Sequence, residues 1–234
     1  ITITGVAKGS GMIKPNMATM LSFVATNLSI DKKTIKSLHK KAIEDSYNMI
    51  TVDGETSTND SSLLISSRTS TINYKQLSEN DKKKFYNAII DIYKDLAKKI
   101  IKDGEGATKF ISINIKNASS IKEAKNVGMH VGNSLLVKTA LFAEDANWGR
   151  ILSAIGNSEI KSKDLSNIEI SFGKFKVFRN NEKVKSYNEK NLSSYLKNKE
   201  IEINITLNTG NSLATVWTND LSYEYIKINA EYRN

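Results

Sequence analysis

Apolar side chains recur along this chain in two rhythms. At the start, "ITITGVAKGSG" alternates with a period of two, as a strand does, and "MLSFVATNL" is a second apolar run predicted as a strand beginning at Thr19. Ser29 stands where a helix cap belongs, with Ile35, Leu38, Ala42 and Ile43 on one face of a helix running to about Asp45. "SYNMITVDGETSTNDSSLLISS" reads as a β-rich run, a polar turn from Asp53 to Asp60 and a second apolar run. The clearest helix follows the capping pair Ser78 and Asp81. Phe85, Ile89, Ile92, Leu96 and Ile100 recur there at helical spacing, and Gly104 supplies the stop.

"KFISINIK" alternates again, so the tetrapeptide "GEGA" falls at a helix-to-strand turn and places Glu105 on a loop. Ser120 and Glu123 open a helix towards Val131, "LLVKTALFA" reads as a buried strand, and Asp145 is placed to cap a helix through "NWGRILSAIG". Beyond it "IEISFGKFKVF", "EIEINITLN", "LATVWTND" and "YEYIKINAEYR" alternate between Gly and Asn turns, which predicts strands. Helices dominate the first half and strands the second. The fold class expected is α/β with mixed α+β layers, divided near residue 118 into parts 1–118 and 119–234.

Composition narrows the chemistry. The 234 residues are 39% hydrophobic, enough for a sizeable core, and the absence of cysteine excludes disulfides, thiolate metal sites and cysteine nucleophiles. His39 and His130 stand in no spacing that a Ser-His-Asp triad or a zinc site would use. The net charge of +9 is carried almost wholly by lysine, the arginines being Arg68, Arg150, Arg179 and Arg233, with no arginine-aromatic cluster of the kind that reads nucleic acid. No apolar stretch approaches a membrane span and no signal-peptide pattern opens the chain, so it reads as soluble. It opens on Ile1 inside a strand-like run, and the natural start is expected upstream.

The single proline, Pro15, follows a Gly-Ser-Gly turn in "GSGMIKPNMATML". Beyond it Ala18-Thr19 pairs a small residue with a hydroxyl residue. Cutting that bond would free an α-amine beside the Thr19 hydroxyl, and such an amine, with an ordinary pKa of about 7.7–8, is a built-in base. A threonine that merely opens a strand is the plainer alternative. Lys8 offers an ammonium to a carboxylate, or is a surface lysine. Glu105, between two glycines, can receive an ammonium, or is a solvated turn residue. "VDGETSTND" does not match a calcium loop and is expected to be a self-bonded turn. Helix capping and packing account for "EDANWGR".

Five stretches in order over nearly the whole chain, "AKGSGMIKPNMATML", "SYNMITVDGETSTND", "DGEGATKF", "LLVKTALFAEDANWGRI" and "WTNDLSYEYIKINAEYR", resemble the bifunctional ornithine acetyltransferase/N-acetylglutamate synthase family of arginine biosynthesis. The resemblance implies an α/β/β/α-type sandwich with a C-terminal α/β domain. It also implies a precursor that cleaves itself between Ala18 and Thr19, and a cytoplasmic α2β2 assembly of the resulting chains. Thr19 would be the nucleophile that takes acetyl from N-acetylornithine and passes it to glutamate, without metal or cofactor; acetyl-CoA stays open as a further donor. Lys8, Glu105 and Asn229 match the family's substrate contacts, and Asn234 stands where the family usually has threonine or serine.

Ala146 replaces a proline of the family pattern. The family's oxyanion Thr-Gly pair and another substrate-contacting threonine belong to sequence upstream of Ile1, and little turnover is expected without them, since an oxyanion donor is worth about 3–4 kcal/mol. The rival readings are a self-cleaving aminopeptidase of the same architecture and a non-catalytic interaction module, with lysine-driven nucleic-acid binding behind both.

Overall fold

The structure is a computed structural model and describes residues 1–14, 20–160, 167–184 and 188–232. It divides into two compact units, Ile1–Asp103 and Gly104–Asn234. The division falls ahead of the expected one near residue 118. The reason lies in the strand formed by "FISINIKNA", which alternates like the strands before it but makes its hydrogen bonds only with later ones.

The first unit is built on a three-stranded sheet of β1 (Ile3–Lys8), β2 (Leu21–Thr26) and β3 (Ser61–Ser66). β1 and β2 run antiparallel, and β2 and β3 run parallel. Two helices belong to the same unit, α1 (Lys32–Glu44) and α2 (Glu79–Lys102). α2 buries Phe85, Ile89, Tyr93, Leu96 and Ile100 along one stripe, as its spacing predicts. It meets β1 at Gly5, where an added Cβ would lie 2.9 Å from Leu96 Cδ1 and 3.0 Å from Ile92 Cγ2. Only a residue without a side chain lets the helix approach that closely. The other face of the sheet is apolar and open: Val6, Phe23 and Leu63 stand in one cross-strand row and are 41–62% exposed.

Three expectations for this unit change in detail. Asp31, not Ser29, caps α1, accepting from the Lys33 and Thr34 amides at 3.1 and 3.0 Å. The run before the polar loop is a 3₁₀ turn, Tyr47–Met49, which sinks Tyr47 and Met49 into the core. The first described strand after Pro15 begins at Leu21.

The second unit is a six-stranded sheet with covering helices. The strands are β4 (Phe110–Ala118), β5 (Glu169–Phe172), β6 (Phe175–Arg179), β7 (Glu182–Lys183), β8 (Glu200–Thr206) and β9 (Ser212–Asn219), in the order β7-β6-β5-β8-β4-β9. β4 runs parallel to β8 and antiparallel to β9. Ile113, Ile203 and Val216 form a cross-strand row that is fully buried. The opposite face carries Asn114, which donates to Asn204 Oδ1 at 3.2 Å and accepts from Thr215 Oγ1 at 2.8 Å. The same face also carries Phe110 and Trp217, both buried, so polar and apolar positions share it. The helices are α3 (Ile121–Asn133), α4 (Leu135–Phe142), α5 (Trp148–Gly156), α6 (Glu189–Leu196) and α7 (Tyr223–Glu231).

Two predicted strands are helices. "LLVKTALFA" forms α4, capped by Ser134, with Val137, Ala140 and Leu141 buried at helical spacing while Leu135 and Leu136 face outward. A short apolar run does not tell the two states apart by periodicity. "YEYIKINAE" forms α7, started by Ser222, and its alternation of large and polar residues is not a burial pattern, since the helix buries none of its side chains. Among the described residues no helix is long and apolar enough to cross a membrane.

Candidate functional site

Ala18 and Thr19, the predicted cleavage pair, and Asn234 lie outside the described residues. The chain on either side of that pair is described. Lys8 ends β1 and pairs in register with Leu21, which lies two residues beyond Thr19 in sequence, and its exposed side chain stands on the open face of the sheet. The Gly-Ser-Gly turn ends in Met12 with a φ of 53°. Asp53 holds it there, accepting from the Met12 amide at 2.6 Å and the Ile13 amide at 3.0 Å, while the Val52 amide donates to the Ile13 carbonyl at 2.7 Å. Thr56 Oγ1 adds a bond to the Lys14 carbonyl at 3.0 Å. The loop is self-bonded as expected, with the Glu55 amide donating to Asp53 Oδ1 at 3.2 Å and the Asn59 amide to Ser57 Oγ at 3.3 Å, and it also works as a clamp on the segment that leads to Pro15. An aspartate can do this because its two oxygens accept from two consecutive amides.

At the far end of that loop, Asp60 precedes β3, and the Ser61 amide donates to the Met20 carbonyl at 2.9 Å. Both carboxylate oxygens of Asp60 are shut off from solvent and have no hydrogen-bond partner among the described residues. Burial pushes this carboxyl from the usual 3.8 up to about 6, with the Met20 amide acting in the opposite direction. A carboxyl with a raised pKa, directly before the residue whose amide bonds Met20, was not foreseen from the sequence. The two histidines have structural partners: His39 Nε2 is 2.9 Å from Ser62 Oγ and its ring packs on Tyr93, and His130 Nδ1 is 3.0 Å from the Asn126 carbonyl one helical turn back.

In the second unit the structure brings two predicted residues together. Glu105 sits in the turn Gly104–Ala107, closed by the Ala107 amide donating to the Gly104 carbonyl at 2.9 Å. Asn229 lies two turns into α7, and its Nδ2 donates to Glu105 Oε2 at 3.0 Å and to the Tyr225 carbonyl at 3.0 Å. Both neighbours are acceptors, which fixes the amide with its nitrogen towards them. What the pair presents outward is then the second carboxylate oxygen and the amide oxygen, two acceptors and one negative charge. That chemistry suits an ammonium and disfavours a carboxylate, so Asn229, for which an amide or carboxylate partner was open, joins Glu105 as an acceptor.

Residues not foreseen from the sequence support the pair. Asp220, directly after β9 and 2% exposed, accepts from the Thr108 and Lys109 amides at 2.8 and 2.9 Å and from Thr108 Oγ1. Lys138, buried on α4, donates to Asn219 Oδ1 at 2.9 Å, to Thr218 Oγ1 at 3.1 Å and to the Asn219 carbonyl. Lys109 is buried as well and reaches Glu144 Oε1 at 3.4 Å and the Leu196 carbonyl at 2.9 Å. One signal was available in the sequence. A lone lysine in the apolar run "LLVKTALFA", once buried, requires several oxygen partners. In "EDANWGR" the α5 cap is Asn147 rather than Asp145. Asn147 Oδ1 accepts from the Arg150 amide at 3.2 Å, and Asp145 Oδ2 holds Asn147 Nδ2 at 3.0 Å. An amide can donate that second bond, which a carboxylate cannot. Trp148 of this segment stacks on Phe178 with ring centroids 4.9 Å apart.

Comparison with known proteins agrees with the motifs. Proteins named arginine biosynthesis bifunctional protein ArgJ are 45% identical in Colwellia psychrerythraea over 240 residues, and 41% identical in Pseudomonas fluorescens over 234. The Bacillus cereus protein of that name is 43% identical over 233 residues. All three alignments include 100% of this chain but only 56%, 58% and 57% of the relative, so the chain spans a little over half the length of the curated relatives it matches. The crystal structure of the Bacillus halodurans protein of the same name superposes with a TM-score of 0.85 at 37% identity, covering 92% of this chain and 100% of that one. Since the sequence model of the ArgJ family matches from residue 1 to residue 234, the chain belongs to the ArgJ family.

Proposed function

We propose that this chain supplies the nucleophile and part of the substrate site of an acetyltransferase that moves acetyl from N-acetylornithine to glutamate in arginine biosynthesis. Cleavage between Ala18 and Thr19 frees the Thr19 amine. The Thr19 hydroxyl oxygen then attacks the acetyl carbonyl and gives its proton to that amine. The carbon–nitrogen bond breaks, ornithine leaves as the amine with that proton, and an acetyl ester remains on Thr19. The amine of glutamate attacks the ester, the Thr19 oxygen regains a proton, and N-acetylglutamate departs. Lys8 is suited to a substrate carboxylate by its charge, and Glu105 with Asn229 to an ammonium. Asn234 is assigned a hydrogen-bonding contact with substrate. Acetyl-CoA is a further candidate donor, and the assembly is expected to be an α2β2 heterotetramer in the cytoplasm.

The observation that carries this reading is the meeting of Glu105 and Asn229, far apart in sequence, 3.0 Å from each other as an acceptor pair in a chain of the ArgJ family. Intact-mass analysis of the full gene product tests it, before and after incubation with N-acetylornithine. The expected fragments end at Ala18 and begin at Thr19, with one acetyl added to the latter and lost again on addition of glutamate. If the Thr19→Ala protein still divides at that bond and still acetylates glutamate, the mechanism is wrong.

A further inference from the structure

The Glu105–Asn229 pair joins a tight turn to α7. α7 has no buried side chain, and Tyr223 at its start is 80% exposed, touching Phe142 only edge-on with centroids 5.4 Å apart. A helix with no apolar face in the core takes its position from its ends. The N-terminal end is well anchored. Ser222 Oγ accepts from the Tyr225 amide at 3.4 Å as the helix cap and donates to the Gly106 carbonyl at 2.6 Å. One hydroxyl thus touches both the residue next to Glu105 and the helix that carries Asn229. The turn itself allows no slack. Gly106 has a φ of +64°, and a Cβ there would lie 2.8 Å from Ser222 Oγ and collide with the Tyr225 backbone nitrogen.

The segment 218–222 that carries this hydroxyl is fixed on both sides. Lys138 of α4 holds Thr218 and Asn219, and the Leu221 amide donates back to the Lys138 carbonyl at 3.4 Å. Asp220 in turn binds the two amides that follow the glycine turn, at Thr108 and Lys109. The turn bearing Glu105 is consequently held from its C-terminal side by Asp220 and from its middle by Ser222.

We infer that Asp220 and Ser222 are positioning residues that set the separation and direction of Glu105 and Asn229, and with them the affinity of the ammonium site. Neither contributes a reacting atom. The inference rests on the reading of Glu105 and Asn229 as a substrate site, and it is independent of how Thr19 reacts.

The test uses the full gene product and the variants Ser222→Ala, Ser222→Thr, Asp220→Asn, Asp220→Ala and Glu105→Gln. Ser222→Ala is expected to raise KM for N-acetylornithine about tenfold or more with a smaller change in kcat, and Ser222→Thr, which keeps the hydroxyl, to restore most of it. Asp220→Asn, retaining one acceptor oxygen, is expected to be milder than Asp220→Ala. Hydrogen exchange gives a readout without turnover: Ser222→Ala should speed exchange of the 223–231 amides while leaving the β4 and β8 amides as protected as before. The inference is overturned if Ser222→Ala and Asp220→Asn leave KM and α7 exchange unchanged while Glu105→Gln raises KM. It is overturned also if exchange rises uniformly over the second unit, which marks a general loss of stability. A Glu105→Gln protein with unchanged KM would instead remove the substrate-site reading, and α7 exchange would still decide whether Ser222 positions the helix.

Discussion

Asp60 combines a shut-in carboxyl, no hydrogen-bond partner among the described residues and a pKa raised to about 6. Its consequence for stability has a definite sign. The folded protein favours the protonated form more than the unfolded chain does, so this group costs nothing below about pH 4. It lowers stability progressively as pH rises through about 6. Asp60→Asn, which keeps the shape and removes the ionisation, is expected to flatten that fall. Thermal unfolding of both proteins at pH 4, 5, 6 and 7 checks it: a melting temperature difference between variant and wild type that does not grow with pH would contradict the assignment. Asp60 and Asp220 could not be recognised from their types and spacing, because aspartates are common here, whereas Lys138 stood out only as the lone lysine of an apolar run. Burial singles them out, and burial is a property of the folded chain. Glu105 was recognisable, since a carboxylate between two glycines is unusual locally. That it would meet Asn229 was not, because nothing in either neighbourhood encodes a contact over that sequence distance.

Elements with a long apolar period were legible. α2 keeps its buried stripe from Phe85 to Ile101 and begins at the Ser78 cap that its sequence predicts. β8 alternates cleanly, and the middle of β4 does so too, because Ile111, Ile113 and Ile115 line the buried face of the sheet. α4 and α7 were misread for opposite reasons: α4 is a short run with too few turns to show a period, and α7 has no buried face to impose one. Close packing between elements adds a constraint of its own at Gly5, where β1 meets α2. Gly5→Val would press against Leu96, Ile92 and Val24, and overpacking of this kind costs about 1–3 kcal/mol. Urea unfolding should show a lower midpoint with an unchanged slope. A midpoint equal to the wild type's would mean that α2 does not lie as close to β1 as described.

At the scale of the molecule, each unit has its own sheet and core, and the first leaves an apolar sheet face uncovered. Val6, Phe23 and Leu63 form its central row, with Leu21 and Ile65 on either side. Contiguous apolar area of this kind is covered by something in a working protein or else drives association. The chain by itself is therefore expected to self-associate at high concentration, and Phe23→Ser with Leu63→Ser to reduce this without lowering the melting temperature, as sedimentation of both proteins would reveal. Equal association would place the contact elsewhere. The sequence by itself determined the family, the mixed α/β class, the major strands and helices, and the turn position of Glu105, because periodicity, caps and motif order are local and survive in one dimension. The tertiary structure alone decided that β4 belongs to the second unit, that Asp53 clamps the turn before Pro15, that Asp220 and Ser222 bond the chain around the turn of Glu105, and that Glu105 meets Asn229. Those are long-range hydrogen bonds between polar groups, and only the packing that removes water from them selects which groups must pair.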